Sequence, residues 1–204
     1  MSDTGIAGKI AALKIPEGVL LVAVTKGVPA ERIREAVAAG VTAIGENRVQ
    51  EAEEKGISSV RGAEKHFIGK LQSNRVKKAV EMFDVIESAD SLRLAERISA
   101  EAKKQKRVMR VFLEVNVSGE KTKGGVMPDE VAPLLRSMRA LPSLSVDGLM
   151  CVASRENPRR DFRALRRLYE ESGLRFLSMG MTDDYGIALE EGANVVRIGR
   201  AIFS

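Results

Sequence analysis

VLLVAVTKGVPAERIREAVAAG, residues 19–40, is one complete β–α unit. Its first six residues are all apolar, too short a run for a buried helix and closed by Thr25-Lys26-Gly27, which predicts a buried strand over 19–25. Pro29 presets a helical φ at the next element's start and Gly40 supplies a stop, so a helix is predicted over 30–39. Within it Ile33, Ala36 and Val37 share one face, as packing on a sheet requires.

The unit recurs. Strand-like runs fall at 43–46, 66–69, 85–87, 111–117, 146–152, 176–179 and 195–198, with helical patterns between them. Leu92, Ala95, Ile98 and Ala102 mark one such helix. Others are expected over 130–140, preceded by Asp129, and over 183–191, between Thr182 and Gly192. Pro133 argues against an unbroken helix over 130–140. Eight β–α units with right-handed crossovers predict an α/β fold closed into a (β/α)8 TIM barrel, since closure removes both sheet edges. At 204 residues the barrel must be compact, a single domain over 1–204. The sequence stops at Ser204 just after the last run, so the eighth helix is expected to be absent or replaced by the segment 6–13.

Composition narrows the class. With 44% hydrophobic residues the chain can bury a core, and no stretch approaches the ~20 apolar residues of a membrane span. The first fifteen residues lack the apolar core of a signal peptide, so a cytoplasmic protein without membrane association is expected. The single cysteine, Cys151, excludes an internal disulfide and a cysteine-rich zinc site, and is expected to be a small buried hydrophobe. A net charge of +5 raises nucleic acid as a partner. Yet tryptophan is absent, aromatics make up 4%, and the basic runs at 103–107 and 159–167 read as solvated helix faces, so no nucleic-acid partner is expected.

In such barrels chemistry sits at the C-terminal strand ends, which here carry Lys26, Asn47, Gly69, Ser88, Asn116, Gly180 and Gly199. In a partly dry mouth, desolvation would disfavour the ammonium form of Lys26 and leave an amine able to condense with an aldehyde. A lysine snorkelling past a buried strand is the plainer alternative. Ser178-Met179-Gly180-Met181-Thr182 leads into a predicted helix start whose N–H groups suit a phosphate, and Gly199-Arg200 forms a second glycine turn at the next strand end. Alternation puts Val195, Arg197 and Gly199 on one face, so Arg197 needs a buried partner. That partner is either an acid such as Glu114 or Glu46, or a ligand's ring nitrogen, which a guanidinium would hold unprotonated. Aldehyde-seeking lysine, phosphate cradle and ring-facing arginine together describe pyridoxal 5′-phosphate (PLP). His66, the one histidine, is expected to be structural, and Asp183 and Asp184 to cap a helix start.

Several motifs in order, Ala23-Val24-Thr25-Lys26, Gly45-Glu46-Asn47 with Val49-Gln50-Glu51, His66-Phe67-Ile68-Gly69, Leu71-Gln72-Ser73-Asn74, Gly148-Leu149-Met150, the 178–182 turn and Val196-Arg197-Ile198-Gly199, carry a resemblance over nearly the whole chain. It resembles the pyridoxal phosphate homeostasis proteins, which are similar to the N-terminal barrel of alanine racemase without its second domain. The resemblance implies PLP held as an internal aldimine on Lys26, with Arg197 facing the pyridine nitrogen. It further implies a phosphate held by Ser178, Gly180, Met181, Thr182, Gly199 and Arg200, and a ring lined by Asn47 and Met150. A role in vitamin B6 and amino/keto acid balance is what the resemblance implies, while the site itself suggests a non-catalytic, monomeric carrier whose bond to PLP can be exchanged with other amines, with PLP and PLP-dependent apoenzymes as expected partners. Arg48, Lys70 and Arg200 depart from the family's usual tyrosine, uninterrupted motif and small hydroxyl residue, and the family's short tail beyond the last strand is missing. The alternatives are a minimal PLP-dependent amino-acid racemase and an aldolase-type barrel in which Lys26 attacks a sugar phosphate.

Overall fold

The computed structural model describes residues 5–204; positions 1–4 of the domain expected over 1–204 lie outside the described residues. Its strands are β1 (Leu20–Val24), β2 (Ala43–Glu46), β3 (Glu64–Phe67), β4 (Val85–Ala89), β5 (Met109–Glu114), β6 (Leu144–Met150), β7 (Phe176–Ser178) and β8 (Val195–Ile198). They pair in chain order, all parallel, and β8 pairs with β1 to close the barrel. The expected (β/α)8 barrel is the fold. Around it lie α1 (Ile6–Ala12), α2 (Ala30–Ala38), α3 (Val49–Glu54), α4 (Val76–Met82), α5 (Leu92–Lys104), α6 (Val131–Arg139), α7 (Pro158–Ser172), α8 (Tyr185–Glu190) and α9 (Arg200–Phe203).

Boundaries shift where polar side chains begin a strand. β3 starts at Glu64 and not His66, because Glu64 and Lys65 pair with Ala43 and Ile44 while ion pairs to Arg110 and Asp84 satisfy their charges. The fifth strand runs two residues earlier than expected, and Val115 makes only an isolated bridge to Val126. Pro133 breaks nothing. A 3-10 turn over Pro128–Glu130 delays α6 to Val131, which puts Pro133 in the first helical turn where no intrahelical N–H is needed.

After β8 the chain makes one short turn, α9, in place of a full helix, and α1 packs against it as expected of the segment 6–13, with Lys9 Nζ donating to the Ser204 carbonyl at 2.7 Å. The N-terminal segment therefore covers the face that a full eighth helix would cover. Ile33 and Ala36 of α2, and Ala95, Ile98 and Ala102 of α5, are buried against the barrel's outer wall. Val22, Ala43 and Val195 form one interior cluster and Val85, Phe112 and Met150 another, joined by Phe176 stacked on Phe112 at 5.4 Å. Strand alternation thus leaves Glu87, Ser178 and Arg197 in an interior that is otherwise largely apolar. None of the helices among the described residues is long and apolar enough to cross a membrane.

Candidate cofactor site

At the end of β1 the chain turns through Thr25, Lys26 and Gly27, and Gly27 takes the left-handed φ of +70° that glycine adopts without strain. The turn is clamped from both sides. Thr25 Oγ1 donates to Glu46 Oε1 at 2.7 Å, Lys55 Nζ donates to the Thr25 carbonyl at 2.6 Å, and the Gly27 N–H donates to Glu51 Oε1. Lys55 also pairs with Glu46 and Glu51, at 3.0 and 2.6 Å. Burial pushes the Glu46 carboxyl up. Burial acts the same way on Glu51, but hydrogen bonds from Lys55 and Gly27 win and hold it low. The backbone of Lys26 is therefore fixed while its side chain stands exposed. The partly dry mouth expected around this amine is not what the structure shows: the side chain is exposed.

β2 delivers Asn47, whose Oδ1 is buried without a partner among the described residues. Gly69, after β3, lies flat on this residue, and a Cβ added there would stand 2.1 Å from the Asn47 carbonyl oxygen. Gly69→Ala therefore has to push Asn47 and its loop aside. We expect a loss of about 3 kcal/mol in stability, read as a lower urea midpoint, with Lys26 itself untouched.

The last two strands bring the remaining residues together. Main-chain bonds from Met179 N–H to the Val195 carbonyl and from Arg197 N–H to the Gly180 carbonyl extend the β7–β8 pairing to the rim, so the two glycine turns lie side by side. Gly180 has φ +93°, and its Cα faces Ala188 of α8, where a Cβ would approach to 2.5 Å. Helix α8 begins at Tyr185 and not Asp183, and its lead-in is tied by Asp184 Oδ1 accepting from the Met181 N–H at 2.6 Å. Neither aspartate caps the helix as expected: Asp184 ties back to the turn before it and makes no side-chain bond to the first turn of α8, whereas exposed Asp183 pairs with the Arg200 guanidinium across the two loops. Gly199 precedes α9, whose first N–H groups have no partner within that turn. Met181 is exposed, Thr182 half-buried, and Met150 buried beneath the mouth.

Arg197 is buried at 3% exposure and its partners correct the expectation. Glu46 is bound to Thr25 and Lys55, and Glu114, pushed up by burial and by Asp90, lies beside Gly124. Instead, Arg197 NH1 donates to Ser178 Oγ at 2.6 Å and NH2 to the Cys151 carbonyl at 2.8 Å, with Glu87 Oε2 at 3.8 Å from NH1. Ser178, expected at the phosphate, has its hydroxyl turned inward between Arg197 and Glu87. Its signal was present in sequence: Glu87 follows Val85 and Ile86 in an apolar strand and alternates to the interior as Arg197 does. Cys151 is buried as expected, its thiol pushed up to about 12 by burial.

His66 is buried and lies between two carboxylates, Nδ1 at 2.6 Å from Glu87 Oε1 and Nε2 at 3.3 Å from Glu64 Oε2. Burial opposes its charge, but hydrogen bonds to Glu64 and Glu87 prevail and raise the imidazole from 6.5 to about 9. Folded His66 therefore binds its proton more tightly than unfolded His66. The stabilisation is complete below pH 6.5 and is lost as pH rises through about 9. Urea titrations should show the native protein losing stability on the order of 2–3 kcal/mol between these limits, and His66→Gln losing much less over the same range.

The residues fit PLP on their own chemistry. Of five guanidinium N–H donors, Arg197 has two engaged by hydrogen bonds among the described residues, which leaves donors for a ring nitrogen. The orphaned Asn47 amide, the exposed amine and the paired glycine turns border the same rim.

A closed parallel barrel with an amine ending its first strand and a guanidinium inside its last defines the class. A family model described as alanine racemase, N-terminal domain, matches residues 9–204, and the chain belongs to that family. It is 43% identical over 195 residues to the pyridoxal phosphate homeostasis protein of Aquifex aeolicus, covering 90% of this chain and 85% of that one. The protein of the same name from Pseudomonas aeruginosa is 40% identical over 200 residues, covering 95% and 87%. PipY of Synechococcus elongatus, solved with PLP bound, is 36% identical with a TM-score of 0.89, covering 98% of this chain and 100% of that one. An alanine racemase of Clostridium difficile, at 14% identity and a TM-score of 0.80, covers 97% of this chain and 56% of its own length, and shares the fold.

Proposed function

We propose that this chain binds PLP covalently through Lys26 and serves, without turnover, as a carrier in vitamin B6 homeostasis. One observation carries the reading: an exposed amine on a clamped turn shares a barrel mouth with a buried guanidinium that has donors to spare. PLP supplies an aldehyde carbon for a primary amine and a ring nitrogen that accepts a hydrogen bond.

Each residue then has a task. Lys26 contributes the nucleophilic amine, and its clamp keeps the amine at a fixed place on the rim. Arg197 donates to the ring nitrogen and, being unable to give up its proton, keeps that nitrogen unprotonated. This weakens electron withdrawal by the ring and favours holding over chemistry, which argues against a racemase. Gly180, Thr182, Gly199 and Arg200 bring main-chain donors to the phosphate, and Met181, its own N–H held by Asp184, completes the turn between them; Asn47 borders the ring and Met150 supports it from below. Ser178 acts through Arg197. Exposure of Lys26 leaves room for a second amine to displace it, so the same bond can retain the ligand or pass it to PLP-dependent apoenzymes. A monomeric, cytoplasmic, single-domain protein completes the proposal.

The test is borohydride reduction of PLP-treated protein followed by peptide mapping. Label on the Lys26 peptide supports the reading. Label confined to other lysines ends it.

A further inference from the structure

Six charged side chains alternate in sign through the barrel: Asp147, Arg110, Glu64, His66, Glu87 and Arg197. Arg110 Nε donates to Asp147 Oδ2 at 2.8 Å and its NH1 to Glu64 Oε1 at 2.5 Å. That end opens into a cavity of about 490 Å³ at the N-terminal ends of the strands, opposite the cofactor mouth. From Glu64 the chain continues through His66 to Glu87, which accepts from Ser178 Oγ at 2.5 Å.

The proton positions in this chain are fixed by what each group can do. A guanidinium only donates, so Ser178 accepts from Arg197 and has its single hydroxyl proton left for Glu87. Glu87 therefore accepts on that oxygen; burial opposes its charge, but His66, Arg197 and Ser178 prevail and hold the carboxyl low, so its other oxygen, facing His66 Nδ1, accepts as well. His66 Nε2 meets Glu64, itself paired with Arg110. Both ring nitrogens face acceptors, so the bound state is the imidazolium.

We propose that Glu87 and His66 are positioning residues for the cofactor, holding Arg197 at the ring nitrogen so that the proton on His66 is sensed at the opposite end of the barrel. This rests on the PLP reading given above. The groups facing His66 are Glu64 on its own strand, Glu87 on β4 and the edge of Phe112 on β5, with Arg110 and Arg197 one step further out. If His66 loses its proton, one ring nitrogen presents a lone pair to a carboxylate. Whichever nitrogen keeps its proton, Glu87 loses the positive charge beside it, and the nearest remaining cation is Arg197, whose NH1 lies 3.8 Å from Glu87 Oε2. A closer Glu87–Arg197 pair draws the guanidinium away from the mouth and changes the cofactor's absorbance.

Because the chain has one histidine, ring-15N labelling reports on His66 alone. The loaded protein is titrated by NMR and by absorbance in parallel, and His66→Gln, which cannot take up a proton, is followed by absorbance beside it. The expected result is an imidazolium at neutral pH, an alkaline transition near pH 9 with the same midpoint in both signals, and no absorbance step near that pH in His66→Gln. A neutral imidazole at pH 7, an absorbance indifferent to His66, or the same step surviving in His66→Gln overturns the positioning role. Borohydride mapping of the same samples separates the two failures: no label on Lys26 defeats the PLP reading and the positioning role with it, whereas labelled Lys26 with an indifferent spectrum defeats the positioning role alone.

Discussion

Lys26→Ala should abolish the borohydride-stable PLP adduct and leave the melting temperature where it was. The first half follows because the amine is the bond-forming atom. The nearby Lys55 cannot take its place, since its Nζ is held at 3.0 Å by Glu46, at 2.6 Å by Glu51 and at 2.6 Å by the Thr25 carbonyl. The second half follows because the Lys26 side chain is exposed, and truncations of that kind change stability by about 0.5 kcal/mol or less. The glycine turns and Arg197 remain, so phosphate-dependent, reversible binding should persist with reduced affinity and without the absorbance of a lysine-bound ligand. Lys26→Arg sharpens the test, because it keeps the charge and loses the nucleophile. An undiminished adduct in Lys26→Ala, mapped to another lysine, would show that the turn is clamped for some other reason.

Much of the barrel was legible because its strands are buried on both faces and read as apolar runs; the 195–198 run coincides with β8. Legibility fails where a strand opens with charge. Glu64 and Lys65 look like a loop until Arg110 and Asp84, far away in sequence, are brought beside them. Helix starts were misread for a related reason: Asp184 holds the Met181 N–H by a turn that postpones α8, and a 3-10 turn postpones α6. The site divides in the same way. Lys26 and Arg197 were visible as isolated charges beside or within apolar runs, a local signal. Which acid serves Arg197 was not, because barrel closure alone decides that Glu87 of β4 faces β8 across the interior while Glu46 turns to Lys55. Exposure of Lys26 was also beyond a reading of its own strand, since it depends on how far the neighbouring loops rise.

That interior pairing carries the second large effect. Glu87→Ala should cost about 3–5 kcal/mol, because it removes the anion between two buried cations and leaves His66 and Arg197 facing each other. Against the ~5–15 kcal/mol that holds a typical domain folded, such a loss brings the variant close to unfolding at ambient temperature. The two cations respond differently. His66 can shed its proton, which caps its share of the penalty, while Arg197 cannot and must draw water or swing toward the mouth. The variant's deficit should therefore shrink at alkaline pH, where the native protein also loses the His66 proton and the difference between the two narrows. Glu87→Gln should fall between: its single amide oxygen can accept from Ser178 or from His66, while its NH2 meets another donor. Urea unfolding at pH 7 and at pH values above about 9 measures both the size and the pH trend. A loss below about 1 kcal/mol for Glu87→Ala, independent of pH, would mean that the interior is wet enough to screen these charges and that Arg197 is held by Cys151 and Ser178 without help from the carboxylate.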